Sequence, residues 1–180
     1  PVNITAINPY QQGGSWDFSA GPTGATASSE IRATNQAPSP PPPNTTYTEY
    51  QTVGGNTQWV YEDENGTGTW ARGFWQQGTV YNYDSPTWNI YHYPMTFGTT
   101  WTSSWTWGES QLGVPVQETR TDEIVGWGTV TVPLGGPMPC LVMRTLQTTY
   151  AEYLGVPLID DEYRLYEWLV PGIGSVTTIQ

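Results

Sequence analysis

Glycine and proline recur along the whole chain and limit its fold more than any other feature of the sequence. The 180 residues include 20 glycines and 16 prolines. Both residues interrupt helices, so a long regular helix has little uninterrupted chain available. Much of the remaining sequence is threonine, tryptophan, tyrosine and valine, which favour the pleated surface of a β-strand. The sequence therefore predicts an all-β protein, an antiparallel sandwich or strongly curved sheet with little or no helix.

Turn signals divide the sequence into about a dozen short strands, at the near-regular spacing typical of sandwiches and curved sheets. The predicted strands are residues 15–19, 28–34, 47–52, 57–62, 68–75, 79–83, 88–93, 100–107, 117–125, 127–132, 141–152, 162–170 and 175–179. Asn65-Gly66 predicts a hairpin turn, because both central residues of a type I′ turn need positive φ. Gly155 and Pro157 stop any helix near residue 154 and predict a hairpin loop across 150–163.

The proline-rich run PSPPPP at 38–43 predicts a stiff surface loop, because proline cannot pair inside a central strand. We therefore expect one domain in three parts. Residues 1–37 form an N-terminal arm that packs on the same domain, residues 38–46 form the proline-rich surface loop, and residues 47–180 form the main antiparallel β-domain.

The charge of the chain excludes several classes of partner. It has 16 acidic residues and five basic ones, all arginine, which gives a net charge of −11. Nucleic acids and anionic membranes are held by clustered positive charge, so neither is expected to bind. Apolar runs are far shorter than the ~20 residues of a membrane-spanning helix, and no transmembrane segment is predicted. Cys140 and His92 are the only cysteine and histidine, so the sequence predicts no cofactor and no zinc site.

Aromatic residues are concentrated between positions 88 and 107. In a strand over 100–107, alternation places Trp101, Ser103, Trp105 and Trp107 on one face and hydroxyl residues on the other. Tryptophan and tyrosine rings suit the C–H faces of sugars, apolar chains or a partner's side chains. They also fill the core of a sheet that is short of other large apolar residues. The candidate ligand-binding residues are Trp88, Tyr91, Trp101, Trp105 and Trp107.

Acidic residues provide an alternative, enzymatic interpretation. Glycoside hydrolysis uses two carboxyl groups that face each other across a cleft. The candidates at isolated or strand positions are Glu109, Glu152, Glu162 and Glu167. Asp160 and Asp161 are weak candidates for a calcium site, since calcium takes clustered carboxylates in loops, but they lack the spacing of an EF-hand. Arg144 shares a strand face with Val142 and Leu146, which predicts a partly buried charge with an acidic partner such as Glu167.

The runs GGSWDFS, YPMTFGTTWTSSWTW, VGWGTVTVPLGGPMPCLVMRT and YEWLVPGIGSVTTI resemble, in this order, a group of uncharacterised extracellular or envelope β-domains of bacteria. The shared features are a W-x-F-S opening strand, a G-T-V-x-V-P strand and a closing W-x-x-P-G-I-G-x-V hairpin. The chain is also similar, in part, to the curved sheets of periplasmic lipoprotein carriers. The resemblance implies an antiparallel β-domain that is secreted, periplasmic or displayed at the cell surface. It implies no catalytic residue.

Three hypotheses for function remain open from the sequence. The first is an exported, non-catalytic β-domain whose aromatic face binds an extended glycan, an apolar ligand or another envelope protein. The second is a small glycan-cleaving hydrolase with paired carboxylates beside the same aromatic residues. The third is a purely structural or scaffolding domain whose aromatic residues are all interior.

Overall fold

The computed structural model describes residues 7–21, 27–53, 55–83, 88–109, 114–133, 135–153 and 156–180. The strands are β1 (Gln12–Asp17), β2 (Ala27–Arg32), β3 (Tyr47–Val53), β4 (Asn56–Asn65), β5 (Gly68–Gln76), β6 (Thr79–Asn82), β7 (Trp88–His92), β8 (Thr100–Glu109), β9 (Val114–Val132), β10 (Gly135–Tyr153), β11 (Val156–Val170) and β12 (Gly174–Ile179). A single 3₁₀ turn, Thr34–Gln36, is the helical element among the described residues. The all-β prediction is confirmed.

The strands form two six-stranded sheets that pack against each other as a sandwich. The first sheet has the order β1-β9-β10-β11-β12, and β8 also pairs with β9. The second sheet has the order β2-β3-β4-β5-β6, and β7 also pairs with β5. Contacts between the sheets run from β6 and β7 to β8. The chain thus fills the second sheet largely from its first half and the first sheet largely from its second half.

Several local predictions differ from the structure in detail. Predicted strands 117–125 and 127–132 are one strand, β9, which is 19 residues long. Residues 150–153 and 156–163 are not a loop, because β10 and β11 stay paired from Leu141–Leu169 to Tyr153–Val156; the two residues between these ranges lie outside the described part. The hairpin at Asn65 is present, but Asn65 pairs with Gly68, so the residues between the strands are Gly66 and Thr67.

The N-terminal arm is divided between the two sheets. β1 pairs with β9 in parallel, which is an exception to the expected antiparallel pairing, and β2 pairs antiparallel with β3. Ser39 lies between the arm and β3, and its carbonyl oxygen accepts a hydrogen bond from the Tyr61 hydroxyl at 3.4 Å. The proline-rich loop therefore lies against the second sheet.

The two faces of the first sheet have different cores. Its inner face, toward the second sheet, carries the cluster Trp101, Ile124, Met143 and Leu169, against which Tyr91 and Met95 pack. Its outer face carries a second cluster, which includes Trp16, Val130, Val142 and Trp168. Ile7 and Phe18 of the arm pack on this second cluster. The arm therefore covers one end of the outer face, as the second sheet covers the inner face.

Two glycines of β9 let the arm approach the sheet. A Cβ at Gly128 would lie 2.0 Å from the carbonyl oxygen of Gly14, and one at Gly126 would lie 2.3 Å from that of Pro9. Neither carbonyl is on a flexible side chain, so the arm backbone would have to move. Glycine at these positions is therefore a condition for docking the arm.

We predict that Gly128→Ala displaces β1 and lowers the free energy of unfolding by about 2 kcal/mol, the typical cost of overpacking a close contact. Urea denaturation measures this. Gly136→Ala is the matched control, because Gly136 also lies in a strand and a Cβ there meets no atom within 4 Å. Equal stability of the two variants would contradict the role given to Gly128.

Candidate functional site

The aromatic strand β8 alternates as the sequence predicts. Trp101, Ser103 and Trp105 are buried, whereas Thr102 and Ser104 between them are exposed. Trp88 of β7 stacks on Trp105, with ring centroids 5.1 Å apart and an interplanar angle of 12°. The Trp101 indole N–H donates to the carbonyl oxygen of Asn89 at 3.1 Å. The tryptophan face of β8 is thus the contact surface between the two sheets.

Four of the five candidate ligand-binding residues therefore lie between the sheets and not on an open surface. Trp101 is 7% exposed and Trp105 is 3% exposed, while Trp88 and Tyr91 are half-buried between the sheets. The side chain of Trp107 lies outside the described part of the structure. The physical reason is that these rings fill the interior of a sandwich with few other large apolar residues. A ligand surface has to be sought elsewhere.

Arg120 on β9 is the centre of a buried charge network on the inner face. Its Nε donates to both carboxylate oxygens of Asp122, at 2.8 and 2.9 Å, and one terminal nitrogen donates to Thr145 Oγ1 at 3.1 Å. The same nitrogen lies 3.6 Å from Glu167 Oε2. The guanidinium carbon is 4.9 Å from the centre of the Trp88 ring. Arg120 therefore connects the carboxylates of Asp122 and Glu167 in the first sheet to an aromatic ring of the second.

The prediction that Glu167 pairs with Arg144 is wrong. Arg144 is opposite Tyr166 across β10 and β11, so the next residue, Glu167, points to the other face. Arg144 instead pairs with Glu123 on the outer face, at 2.6 Å. Burial raises the pKa of Glu167, and the nearby Arg120 opposes that rise.

The other acidic candidates lie far from this network. Glu162 and Glu152 are exposed near the end of the β10–β11 hairpin, and Glu152 accepts a hydrogen bond from the Tyr150 hydroxyl at 2.6 Å. The side chain of Glu109 lies outside the described part. Asp160 and Asp161 are both exposed on β11. Successive strand residues point to opposite faces, so this pair cannot converge on one ion. Within the described ranges, no three His, Cys, Asp or Glu side chains are grouped to hold a metal ion.

Sequence reasoning missed a buried carboxyl pair in the second sheet. Glu62 on β4 is 6% exposed, and its near neighbours are Tyr47 and Glu49 on β3. Burial raises the pKa of Glu62 to about 8, and Glu49 adds to the rise while a hydrogen bond from Tyr47 opposes it. Glu62 belongs to the acidic run Glu62-Asp63-Glu64, which resembles a solvated turn. Glu62 lies two residues after the apolar Val60, and residues two apart on a strand share a face. This spacing is the signal that could have identified Glu62 as buried.

Tyr91 links the two groups of carboxylates. Burial raises its pKa, and the charges that act on its hydroxyl come from Glu167 and Arg120 of the first sheet and from Glu62 and Glu49 of the second. Among the described residues, Glu49, Glu62, Asp122 and Glu167 thus lie near the single guanidinium of Arg120. The pKa values of Glu62, Asp122 and Glu167 are raised, mainly by burial, which favours their protonated forms.

A notch on the outer face is an open concavity lined in part by aromatic residues. It has a volume of about 220 Å³ and is lined by Ile7, Pro9, Tyr10, Tyr166, Trp168 and Ile179; we call it the tyrosine notch. Tyr10 is 49% exposed, and its ring meets that of Tyr166 edge to face with centroids 6.0 Å apart. The two hydroxyl oxygens are 2.9 Å apart.

Charged groups border the tyrosine notch. Partial burial acts to raise the pKa of Tyr10, but hydrogen bonds with Tyr166 and Arg144 outweigh it, so the pKa is lowered. Arg144 is held in turn by Glu123. The notch therefore combines apolar ring surface with two hydroxyl groups, the Arg144–Glu123 ion pair and the positive charge of Arg164, which acts on both tyrosines. A second cavity, of about 180 Å³, shares Ile7 and is lined by Asn8, Gln11, Ser15, Trp16, Asp17 and Phe18.

No protein-family model matches the sequence, and searches of curated proteins and of solved structures find no significant match either. Within the described chain, no helix has the length and apolar character of a membrane span. The function therefore has to be argued from the geometry of this chain.

We predict that Arg120→Ala lowers the free energy of unfolding by roughly 3–5 kcal/mol, because it leaves Asp122 and Glu167 as unpaired buried charges. Chemical denaturation at neutral pH measures this. The control is Arg164→Ala, since Arg164 is exposed on the same sheet, and we expect a change within about 0.5 kcal/mol. A loss of similar size in both variants would show that Arg120 has no special role.

We also predict that the free energy of unfolding falls as the pH rises from 4.5, the ordinary pKa of Glu62, to about 8, its pKa in the folded protein. The folded protein holds the Glu62 proton more tightly than the unfolded chain, so its stabilising effect is complete at low pH and is lost through pH 8. Chemical denaturation across this pH range measures the effect. Glu62→Gln should reduce the slope of the free energy of unfolding against pH. Glu162→Gln, at an exposed position of the first sheet, should keep the wild-type slope. An unchanged slope in Glu62→Gln would refute the assignment.

Proposed function

We propose that this chain is a non-catalytic domain that binds a glycan, and that the tyrosine notch is its binding site. The supporting observation is the half-exposed Tyr10 ring at the edge of an apolar concavity, with its hydroxyl paired to that of Tyr166. Aromatic rings suit the apolar faces of sugars, and adjacent polar groups fix a ligand's orientation. Arg144 and Glu123 provide donors and acceptors for sugar hydroxyls as an ion pair whose charges cancel, and Arg164 adds a further donor beside Tyr166.

The size and border of the notch favour a sugar over the other ligand classes considered. Its volume of about 220 Å³ is smaller than the roughly 300–1,000 Å³ typical of sites for drug-sized ligands, which suits one ring-sized group. An acyl chain requires a longer apolar channel than these six residues provide. The net charge of −11 disfavours acidic polymers and is compatible with a neutral glycan.

The positions of the carboxyl groups support binding over hydrolysis. Glu167 is bound to Arg120 on the inner face, whereas Glu152 and Glu162 are exposed on the distant hairpin. Glu49 and Glu62 contact each other directly. A glycosidase separates its two carboxyl groups by roughly 5–10 Å with substrate or water between them. Among the described side chains, none of these combinations has that arrangement around the notch.

The cell exterior is the location that best fits this proposal. Structural polysaccharides and surface glycans lie outside the cytoplasm, and the sequence resembles extracellular and envelope domains of bacteria. We therefore propose that the domain is exported to the periplasm, the cell surface or the medium.

Tyr10→Ala tests the proposed site. We expect at least a tenfold loss of affinity, or about 1.4 kcal/mol, for a glycan first identified with the wild-type chain on a glycan array. Calorimetric titration measures it. Tyr10→Phe, which keeps the ring and loses the hydroxyl, should retain part of the affinity.

The control is Tyr153→Ala, because Tyr153 is also exposed, at 56%, but lies at the far end of the β10–β11 hairpin. It should bind as the wild type does. The proposal fails if the wild-type chain binds no glycan, or if Tyr10→Ala binds as tightly as the wild type.

A further inference from the structure

The outer face of the first sheet continues beyond the tyrosine notch as a surface rich in hydroxyl groups. Beyond the described part of the arm, this face presents alternate residues of β8, β9 and β10 to solvent. Those with hydroxyl groups are exposed or half-buried, and we call them the hydroxyl strip: Thr100, Thr102, Ser104, Thr106, Thr119, Thr121 and Thr148. The strip residues of β8 are on the outward side of the strand whose tryptophans fill the sandwich.

Strand pairing arranges the strip in regular rows. Ser104 pairs with Thr119 and Thr119 with Thr148, which places three hydroxyl groups side by side across three strands. In the next row Thr102 pairs with Thr121. Neighbouring hydroxyl oxygens are 3.1 Å apart in the Thr102–Thr121 pair and 3.2 Å apart in the Ser104–Thr119 pair. Because a hydroxyl group can both donate and accept, these pairs still offer hydrogen bonds to a ligand.

The strip is continuous with the tyrosine notch. The row that follows Thr102 contains Thr100, Glu123 and Arg144, and Arg144 pairs with Tyr166 of the notch. At the opposite end, Thr106 pairs with Gln117, and Gln117 with Tyr150, which is 36% exposed. Tyr150 lies six positions after Arg144 on β10, which corresponds to about 20 Å at the rise of a strand. Each end of the strip therefore has an exposed tyrosine.

The chemistry of the strip favours a neutral, hydroxyl-rich ligand. Its middle rows carry no charge, and Arg144 and Glu123 neutralise each other at one end. To one side, on β11, the same rows end in the acidic Asp160 and Glu162 and the basic Arg164. The surface has little of the aromatic and apolar content that forms the core of a protein–protein interface, where serine is depleted. A polysaccharide chain matches it better than a protein does.

We infer that an extended, unbranched, neutral polysaccharide lies along the hydroxyl strip, with one sugar unit in the tyrosine notch and the following units directed toward Tyr150. This inference rests on the proposed glycan binding by the notch and adds the length, charge and direction of the ligand. The strip hydroxyls and Tyr150 contribute only to chains long enough to reach them.

The test is the dependence of affinity on chain length. Neutral oligosaccharides of one sugar type, from the single unit to chains that exceed the strip, are titrated into the wild-type chain and into the double variant Thr119→Val/Thr148→Val. Valine keeps the β-branched shape and favours a strand, so the fold is retained. The matched control is Thr79→Val, at an exposed threonine of β6 in the second sheet.

We expect wild-type affinity to rise with chain length until the strip is filled. The double variant and Tyr150→Ala should each bind long chains at least about threefold more weakly, the effect of one lost hydrogen bond or ring contact. They should bind the single unit as the wild type does. Thr79→Val should match the wild type for all lengths, and Tyr10→Ala should weaken binding at every length.

Three results would overturn the inference. If a single sugar unit binds in a Tyr10-dependent manner but longer chains bind no better, the strip is not a site, although the proposed function stands. Long chains that bind the double variant as tightly as the wild type lead to the same conclusion. If neutral glycans of every length fail to bind, both the inference and the proposed function are wrong.

Discussion

The buried guanidinium of Arg120 is the interaction on which the arrangement of the two sheets depends. It is one positive charge in an interior that also contains Asp122 and Glu167, with Glu49 and Glu62 facing it from the second sheet. Its stacking on Trp88, which stacks in turn on Trp105, joins charge balance to aromatic packing. Buried ion pairs add little stability compared with apolar packing, but a buried charge without its partner is very costly. The network therefore selects one way of packing the sheets.

This packing determines which surface is left for function. The rings of Trp101 and Trp105 are used in the core, so the strand that carries them turns its threonine and serine side chains outward. An aromatic core of this kind follows from a composition with ten tryptophans and only three phenylalanines. The proposed binding surface is consequently a property of the outer face, where the exposed Tyr10 and Tyr150 lie at the two ends of the hydroxyl strip.

The N-terminal arm completes that surface. Gly126 and Gly128 allow the arm backbone to lie directly on β9, and Ile7 and Phe18 then cover the apolar cluster around Trp168. The covered and uncovered parts of the outer face meet at Tyr10. The notch is lined by residues of the arm and by residues of the sheet, so the proposed site depends equally on both.

The sequence by itself determined the all-β class, most strand positions and the alternation of β8 into a tryptophan face and a hydroxyl face. These follow from local propensity and the two-residue period of a strand. Only the tertiary structure decided which face is covered, because covering is set by pairings between residues far apart in the chain. For this reason the candidates Trp101 and Trp105 proved to be interior, Glu62 lies in the core despite its place in an acidic run, and Arg144 pairs with Glu123 on the outer face rather than with Glu167. The local sequence around Tyr10 carries no signal of function. Tyr10 becomes a candidate only in the fold, where the arm places it in contact with Tyr166, 156 residues later in the sequence.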